Sequence, residues 1–150
     1  MPEQRGSGTY LGIDYGRKGI GVAVGQRITR TARPLETIRV THPDHVWNEL
    51  ERLVKAWLPE GLVVGTPVPL DESQPKNPMI EEIARFARDL EARFGLPVHF
   101  MDEALSTRES QSLFYAERPK RSVDFRKVKD QMAAALILET WLSHSANQGN

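Results

Sequence analysis

The alternation of apolar and polar residues along the chain predicts a mixture of strands and helices. Short apolar or alternating runs predict strands at residues 9–14, 19–25, 34–40, 61–67 and 97–101. Apolar residues spaced three and four positions apart predict helices at about residues 44–58, 78–94, 106–116 and 130–143. Three strands therefore come first, and helices then alternate with the remaining strands before a final pair of helices.

The connections between these elements predict the topology of the sheet. Only residues 15–18 separate the first two strands, so these strands should form an antiparallel hairpin. The alternation of helices and strands after the third strand favours parallel strands joined by right-handed crossovers. We therefore predict an α/β fold with a five-stranded mixed sheet, in which three antiparallel strands precede the parallel ones, and with helices on both faces. This domain would cover residues 9–144, with flexible tails at 1–8 and 145–150.

Acidic residues fall where strands of this sheet end. Asp14 ends the first strand, and Asp102 and Glu103 directly follow the fifth. Asp130 is predicted to begin the last helix, four residues before Ala134, and therefore on the face that packs toward the sheet. Ligands of open α/β sheets bind outside the carboxyl ends of the strands. We therefore expect acids from three distant parts of the chain to meet at this edge.

Clustered carboxylates repel one another, so they favour the binding of a cation. Ligand sets made only of oxygen suit Mg²⁺ or Mn²⁺, and two such ions about 4 Å apart can promote phosphodiester cleavage. Gly16, Gly19 and Gly21 would let a phosphate backbone approach closely. Each feature also has a purely structural interpretation. Asp14 can be a turn residue, Asp130 a helix N-cap, and the glycines part of the hairpin.

Composition and charge narrow the class of protein. The chain has 150 residues and no cysteine, which suits one domain in a reducing compartment. No segment reaches the roughly 20 apolar residues of a membrane span, and residues 1–10 contain no apolar signal core. We therefore expect a cytoplasmic protein with no membrane partner. The net charge is zero, but residues 118–129 carry six basic residues and one acid, which favours a local contact.

Four segments of the chain resemble the motifs of a known family. The YqgF family, also called RuvX, has four signature blocks that resemble, in order, IDYGRKGIGVAVG, VVGTPVPLD, FMDEALSTRES and KDQMAAALILETWL. The resemblance covers residues from about 9 to 143. It implies an RNase H-like fold, like that of the RuvC resolvases, and metal-dependent phosphodiester hydrolysis. The implied roles are 5′-end processing of pre-16S rRNA during ribosome biogenesis and the resolution of Holliday junctions.

The resemblance also implies which residues form the site. By motif position, Asp14, Glu103 and Asp130 would be the catalytic acids and would hold one or two Mg²⁺ or Mn²⁺ ions. We expect Asp102, Ser106 and Thr107 to support these acids. The partner would be single-stranded or structured RNA, or branched DNA. The basic residues expected to contact it are Arg17, Lys18, Arg118, Lys120, Arg121, Arg126 and Lys127.

The chain departs from the family pattern at several positions. Ala104 stands where the family usually has arginine, which removes a phosphate contact or an orienting partner for the carboxylates. Pro69 replaces an amide side chain, and Glu72 replaces a turn glycine. Lys129 stands where a small apolar residue is more usual and puts a positive charge beside Asp130.

Two other functions compete with the nuclease interpretation. The departures from the family pattern leave open a non-catalytic module that binds nucleic acid or a processing partner. Sugar kinases and actin-like ATPases share the strand, D-x-G and strand opening, which would make the chain an ATP-dependent phosphotransferase. Those enzymes need a second domain, for which 150 residues leave no room. The sequence is compatible with a monomer and with a homodimer.

Overall fold

The computed structural model describes residues 8–67, 77–103, 111, 112, 114, 116 and 125–148. Its strands are β1 (Thr9–Asp14), β2 (Gly19–Gln26), β3 (Thr31–Arg39), β4 (Gly61–Thr66) and β5 (Val98–Asp102). Its helices with defined bounds are α1 (Pro43–Trp57), α2 (Pro78–Phe94) and α3 (Phe125–Gln148). Residues 111, 112, 114 and 116 are helical as well, within the predicted helix 106–116.

The strands form one five-stranded sheet in the order β3-β2-β1-β4-β5. β2 runs antiparallel to both β1 and β3, whereas β1, β4 and β5 are parallel. The predicted mixed sheet with helices on both faces is confirmed. β1 is the central strand, so its carboxyl end at Asp14 lies in the middle of one sheet edge.

The two faces of the sheet carry different side chains. One face presents branched apolar residues such as Leu11 and Val64, which pack against α1 and α2 in the larger core cluster. The other face is covered by α3, whose buried residues include Ala134 and Leu138. Successive residues of a strand point to opposite faces, so the residues between the branched ones face α3. Glycine recurs at these positions, with Gly12, Gly21, Gly25 and Gly65 all buried.

These glycines allow α3 to lie unusually close to the sheet. A Cβ atom on Gly21 would stand 1.9 Å from the carbonyl oxygen of Asp130, which is far inside any van der Waals contact. A Cβ atom on Gly12 would stand 2.7 Å from the Cβ of Leu138, and one on Gly65 would stand 2.5 Å from the Cδ1 of Ile137. The helix therefore rests directly on the backbone of β1, β2 and β4.

The ends of α1 and α2 follow the capping signals of the sequence. The Nδ1 atom of His42 accepts a hydrogen bond of 3.3 Å from the backbone N–H of His45. Asn77 caps α2 by accepting from the N–H of Met79 at 2.9 Å, and Pro78 follows at the first helical position. Gly95 ends α2 in the left-handed conformation with φ 64°.

The predicted bounds of two elements are wrong by three residues or more. β3 begins at Thr31 and not at residue 34, because its ladder with β2 continues to the pair Gln26–Thr31 beside the tight turn. The last helix runs over Phe125–Gln148 and not 130–143. Part of the predicted basic loop 118–129 is therefore helical, and so are residues 145–148 of the predicted tail. Arg and Lys are good helix formers, so a helix can extend beyond its apolar stripe.

The same correction changes the role of Asp130. It lies in the second turn of α3, so it is neither the first residue nor the N-cap of this helix. Its backbone is helical, and its carbonyl faces Gly21.

No helix in the described part of the chain has the length and apolarity needed to cross a membrane.

The close approach of α3 to β2 predicts a large effect of one methyl group. Replacing Gly21→Ala should lower the free energy of unfolding by at least about 3 kcal/mol, because the new Cβ must displace helix backbone that cannot rotate away. Chemical denaturation followed by circular dichroism measures this loss.

Gly95→Ala is the matched control, because no atom lies within 4 Å of its Cβ position. Its cost is limited to the left-handed backbone and should be about 1 kcal/mol. Equal losses in the free energy of unfolding for the two variants would contradict the close packing of α3 against β2.

Candidate active site

Three acidic residues lie at one edge of the sheet, on the face covered by α3. Asp14 is the last residue of β1 and pairs across the ladder with Gly21. Glu103 directly follows β5, and its Oε1 atom lies 3.3 Å from the Cβ position of Gly65. The Oδ2 atom of Asp130 lies 3.0 Å from the Cβ position of Gly19. A strand end, a residue after a strand and a helix therefore bring the three predicted acids to the same region.

A cleft of about 230 Å³ opens between two of these acids. We call it the acidic cleft. It is lined by Asp14, Met101, Glu103, Gln111, Ala133, Leu136 and Ile137. Asp130 is not one of its lining residues and lies beside it, over β2. The sequence offered no signal for Gln111, which joins the cleft from the short helical segment before α3. The α3 residues Ala133, Leu136 and Ile137 form an apolar wall of the cleft.

Burial and neighbouring charges oppose the ionisation of Asp14. Its pKa rises from 3.8 to about 7, mainly because the carboxyl group is buried and further because Glu103 and Asp130 are negative. The pKa of Glu103 is also raised, first by burial and then by the charge of Asp102. A cation at this edge would reverse these effects, since an opposite charge favours the ionised carboxylates.

The donor set fits a hard divalent cation in its chemistry. All three acids supply carboxylate oxygens, which Mg²⁺ and Mn²⁺ prefer. Within the described ranges, however, no group of three His, Cys, Asp or Glu side chains is placed to hold one ion. The three acids therefore share an edge and a face, but their side chains do not converge on a single point as they stand.

Asp102 differs from Glu103 in its position. It is the last residue of β5 and pairs with Thr66 of β4, while the preceding Met101 is buried in the cluster under α3. Strand alternation therefore directs Asp102 away from the face that carries Asp14. Its recorded effect on this site is electrostatic, through the pKa of Glu103.

The space beside Gly19 and Gly21, which the sequence predicts to be open to a phosphate backbone, is occupied by atoms of the protein itself. The space beside Gly21 is occupied by the backbone of Asp130, so no phosphate can enter there. A Cβ on Gly16 would lie 2.6 Å from the carbonyl oxygen of Gly19, which shows that this glycine closes the turn. Gly19 leaves room for the carboxylate of Asp130 itself. Gly19 and Gly21 thus position α3 and its acid, and the approach of a phosphate at Gly16 stays a prediction.

The basic residues near Asp14 are only partly available to contact nucleic acid, because one of them is already paired. Arg17 forms an ion pair with Glu82 of α2, with 3.0 Å between its Nε and the Oε2 atom of Glu82. The hydroxyl of Tyr15 donates to the other oxygen of Glu82 at 3.2 Å. Lys18 is exposed, and so is Lys129, next to Asp130. Glu82 was not predicted as a site residue, because nothing in the sequence links α2 to the turn after β1.

Several predicted residues lie outside the described part of the chain. Arg126 and Lys127 belong to the first turn of α3 by their backbone, but their side chains are not described. The others that lie outside are Ser106, Thr107, Arg118, Lys120 and Arg121, together with the departures Pro69, Glu72 and Ala104.

Comparison with known proteins identifies the family. The family model RuvX, described as Holliday junction resolvase, matches residues 8–144. The chain belongs to the RuvX family. The resemblance seen in its four sequence blocks is therefore confirmed over almost the whole chain.

Relatives of this RuvX protein are similar along nearly their full length. A protein of Methylococcus capsulatus named "Putative pre-16S rRNA nuclease" is 48% identical over 143 residues, which are 95% of this chain and 93% of the relative. A protein of Legionella pneumophila with the same name is 41% identical, covering 92% of this chain and 97% of the relative.

A solved structure supports the fold of this RuvX protein. RuvC of T. thermophilus, determined in complex with a Holliday junction substrate, superposes with a TM-score of 0.62 at 18% sequence identity. The alignment covers 94% of this chain and 96% of RuvC. The predicted RNase H-like fold is confirmed by this likeness.

The raised pKa of Asp14 predicts that this acid destabilises the metal-free protein at neutral and higher pH. The folded state binds a proton more tightly than the unfolded state, so stability is lost as the pH rises from 4 toward and through 7. Asp14→Asn removes this titration. In EDTA at pH 8 the variant should unfold with a free energy up to about 4 kcal/mol higher than the parent protein.

Urea denaturation at pH 4 and pH 8 measures this difference. Near pH 4 the two proteins should be nearly equally stable, because Asp14 is protonated in the folded parent. The same stability difference at both pH values would show that the surroundings of Asp14 do not oppose its ionisation.

Proposed function

We propose that this chain is a nuclease that uses Mg²⁺ or Mn²⁺ to hydrolyse phosphodiester bonds. The main support is the meeting of carboxylates from β1, α3 and the residue after β5 at one sheet edge, where burial and then the charges of Glu103 and Asp130 raise the pKa of Asp14. Carboxylates that repel one another destabilise the folded state unless a cation is bound beside them. Membership of the RuvX family supports the same chemistry.

The residues of the site have distinct tasks in this proposal. Asp14, Glu103 and Asp130 would hold the metal, and each must be ionised to do so. A divalent ion at such a site supplies an activated water and stabilises the charge on the leaving oxygen. Ala133 and Ile137 of α3 shield one side of the acidic cleft from bulk water. Lys18 and Lys129 are exposed near the acids and would attract the phosphate backbone.

The substrate we propose first is the 5′ region of pre-16S rRNA, cleaved during ribosome biogenesis in the cytoplasm. The support for this RNA is that relatives matching over 90% of this chain are named "Putative pre-16S rRNA nuclease"; cleavage at its 5′ region is what the family resemblance implies. Holliday junction DNA, for which the family is described, is the second substrate. Both substrates require a phosphodiester placed against the same three acids.

A second candidate function is the binding of nucleic acid without cleavage. It is favoured by one observation, that no three acidic or histidine side chains in the described segments are gathered around one point. In this case the RNase H-like fold would present basic residues to RNA or to a processing partner.

Cleavage of labelled substrates separates these functions. We expect the protein to cut pre-16S-like single-stranded RNA, a four-way DNA junction, or both, in Mg²⁺ or Mn²⁺ and not in EDTA. Asp14→Asn, Glu103→Gln and Asp130→Asn should each lose at least about 100-fold in rate, since metal ligands supply several kcal/mol of transition-state stabilisation.

Glu51→Gln is the matched control, because Glu51 is an exposed acid of α1 that pairs with Lys55 at 3.5 Å. It should cut like the parent protein. Binding without metal-dependent cutting, or equal cutting by all variants, would overturn the nuclease and favour the binding module.

A further inference from the structure

A second cleft opens on the opposite face of the sheet, at the same edge as the three acids. It has a volume of about 410 Å³, which lies within the range of roughly 300–1,000 Å³ typical of small-ligand sites. We call it the aromatic cleft and define it by Tyr15, Ile20, Trp47, Glu82, Arg85 and Phe86. Tyr15 directly follows Asp14, so the two clefts lie on either side of the end of β1.

The walls of the aromatic cleft are made of adjoining rings. Tyr15 and Phe86 have ring centroids 4.8 Å apart, and Trp47 and Phe86 have centroids 5.5 Å apart. Phe86 and Ile20 are buried and form the floor, whereas Tyr15 and Trp47 are half-buried and can contact a ligand. Such a surface offers π-faces to a flat ring, and the guanidinium of Arg93 already lies over the Trp47 ring, 4.4 Å from its centroid.

Polar groups stand at the rim of this cleft. Glu82 accepts hydrogen bonds from the hydroxyl of Tyr15 and from Arg17, and thereby holds the Arg17 guanidinium beside the turn that follows Asp14. Arg85 and Asp89 are exposed at the mouth. Carboxylates accept hydrogen bonds from the exocyclic amine of a base, and guanidinium groups bind phosphate.

We propose that the aromatic cleft binds an unstacked nucleobase of the substrate strand. The strand would cross the carboxyl end of β1, with one phosphate at the acids and a neighbouring base against Tyr15 and Trp47. This inference rests on the proposed function and adds a preference for single-stranded segments. The bases of a duplex are stacked in the helix and cannot enter the cleft, whereas those of a single strand stack readily on aromatic side chains.

The arrangement of charges explains why a nucleotide suits the cleft better than other flat ligands. The aromatic rings and Glu82 line the cleft, and Arg17 is joined to Glu82 by the ion pair without belonging to that lining. A nucleotide offers a base to the rings and a phosphate to the guanidinium. The next phosphate along the strand would then face the edge where Asp14 lies.

Photo-crosslinking locates the base directly in the unaltered protein. Single-stranded oligonucleotides with one 4-thiouracil base at successive positions, as RNA and as DNA, are irradiated with the protein in EDTA. Peptides are then identified by mass spectrometry. We expect one or two neighbouring base positions to crosslink to Tyr15 or Trp47. Crosslinks found only at other residues would overturn the proposal. Comparing the RNA and DNA oligonucleotides shows which nucleic acid is bound.

A pair of variants tests the affinity. Tyr15→Leu should weaken the binding of single strands by about 5- to 100-fold, which corresponds to the loss of one base stacked on a ring. It should leave duplex binding unchanged. Tyr15→Phe keeps the ring and should retain most of the affinity.

Tyr10→Leu is the matched control, since it is the same substitution near the start of β1, at the end opposite the turn that carries Tyr15. There Tyr10 packs against Trp141 with ring centroids 5.1 Å apart. Circular dichroism checks that each variant is folded. Equal affinities of Tyr15→Leu and Tyr10→Leu for single strands would overturn the proposal. So would the absence of single-strand binding by the parent protein.

These results separate the cleft from the nuclease. If Asp14→Asn binds single strands through the cleft but no metal supports cutting by the parent protein, the proposed function fails and the base site stands. If metal-dependent cutting requires Asp14 but is unchanged in Tyr15→Leu, the nuclease stands and the base site fails.

Discussion

The contact between Asp130 and Gly21 is the constraint on which the rest of the structure depends. Gly21 has no side chain, so the backbone of α3 can lie directly on β2, with the carbonyl of Asp130 occupying the place of a Cβ. Gly21 is also the ladder partner of Asp14. Gly21 therefore shares in setting the depth of the helix with Gly12, Gly25 and Gly65, and it also links the helix to the central acid. The acids can meet at the sheet edge because this contact leaves no room for α3 to shift.

Rigid packing compensates for the electrostatic cost of the site. Asp14 is held in a buried position where two other acids oppose its ionisation, and only a well-packed frame can keep it there. The larger core cluster on the opposite face, with Leu11 and Ile13 completely buried beside Asp14, supplies that frame. The strand that ends in the carboxylate is thus among the most deeply buried segments of the molecule. The site is destabilising in isolation and is stabilised by residues that take no part in its chemistry.

Sequence patterns predicted the sheet, its strand directions and the edge at which the acids lie. They succeeded because short apolar runs, one tight hairpin and two alternating helix–strand units allow few topologies. They failed where local composition misleads. Basic composition predicts a loop around Arg126, but these residues belong to the first turn of α3. The local pattern of Gly19 and Gly21 predicts close contact with substrate, because their actual neighbour, Asp130, lies more than a hundred residues away in the chain. The pair of Arg17 with Glu82 was missed for the same reason.

The glycine positions under α3 have a consequence for how such chains are recognised. Gly19, Gly21 and Gly25 of the second strand are spaced so that α3 can pack closely against the sheet. A motif search that scores these glycines therefore detects the fold and not the catalytic residues. A chain that had exchanged its three acids for neutral residues would still need the same glycines to fold and would still match that part of the motif. Under the proposed function, catalytic activity would therefore depend on the carboxylates, whereas the glycines indicate only the scaffold that presents them.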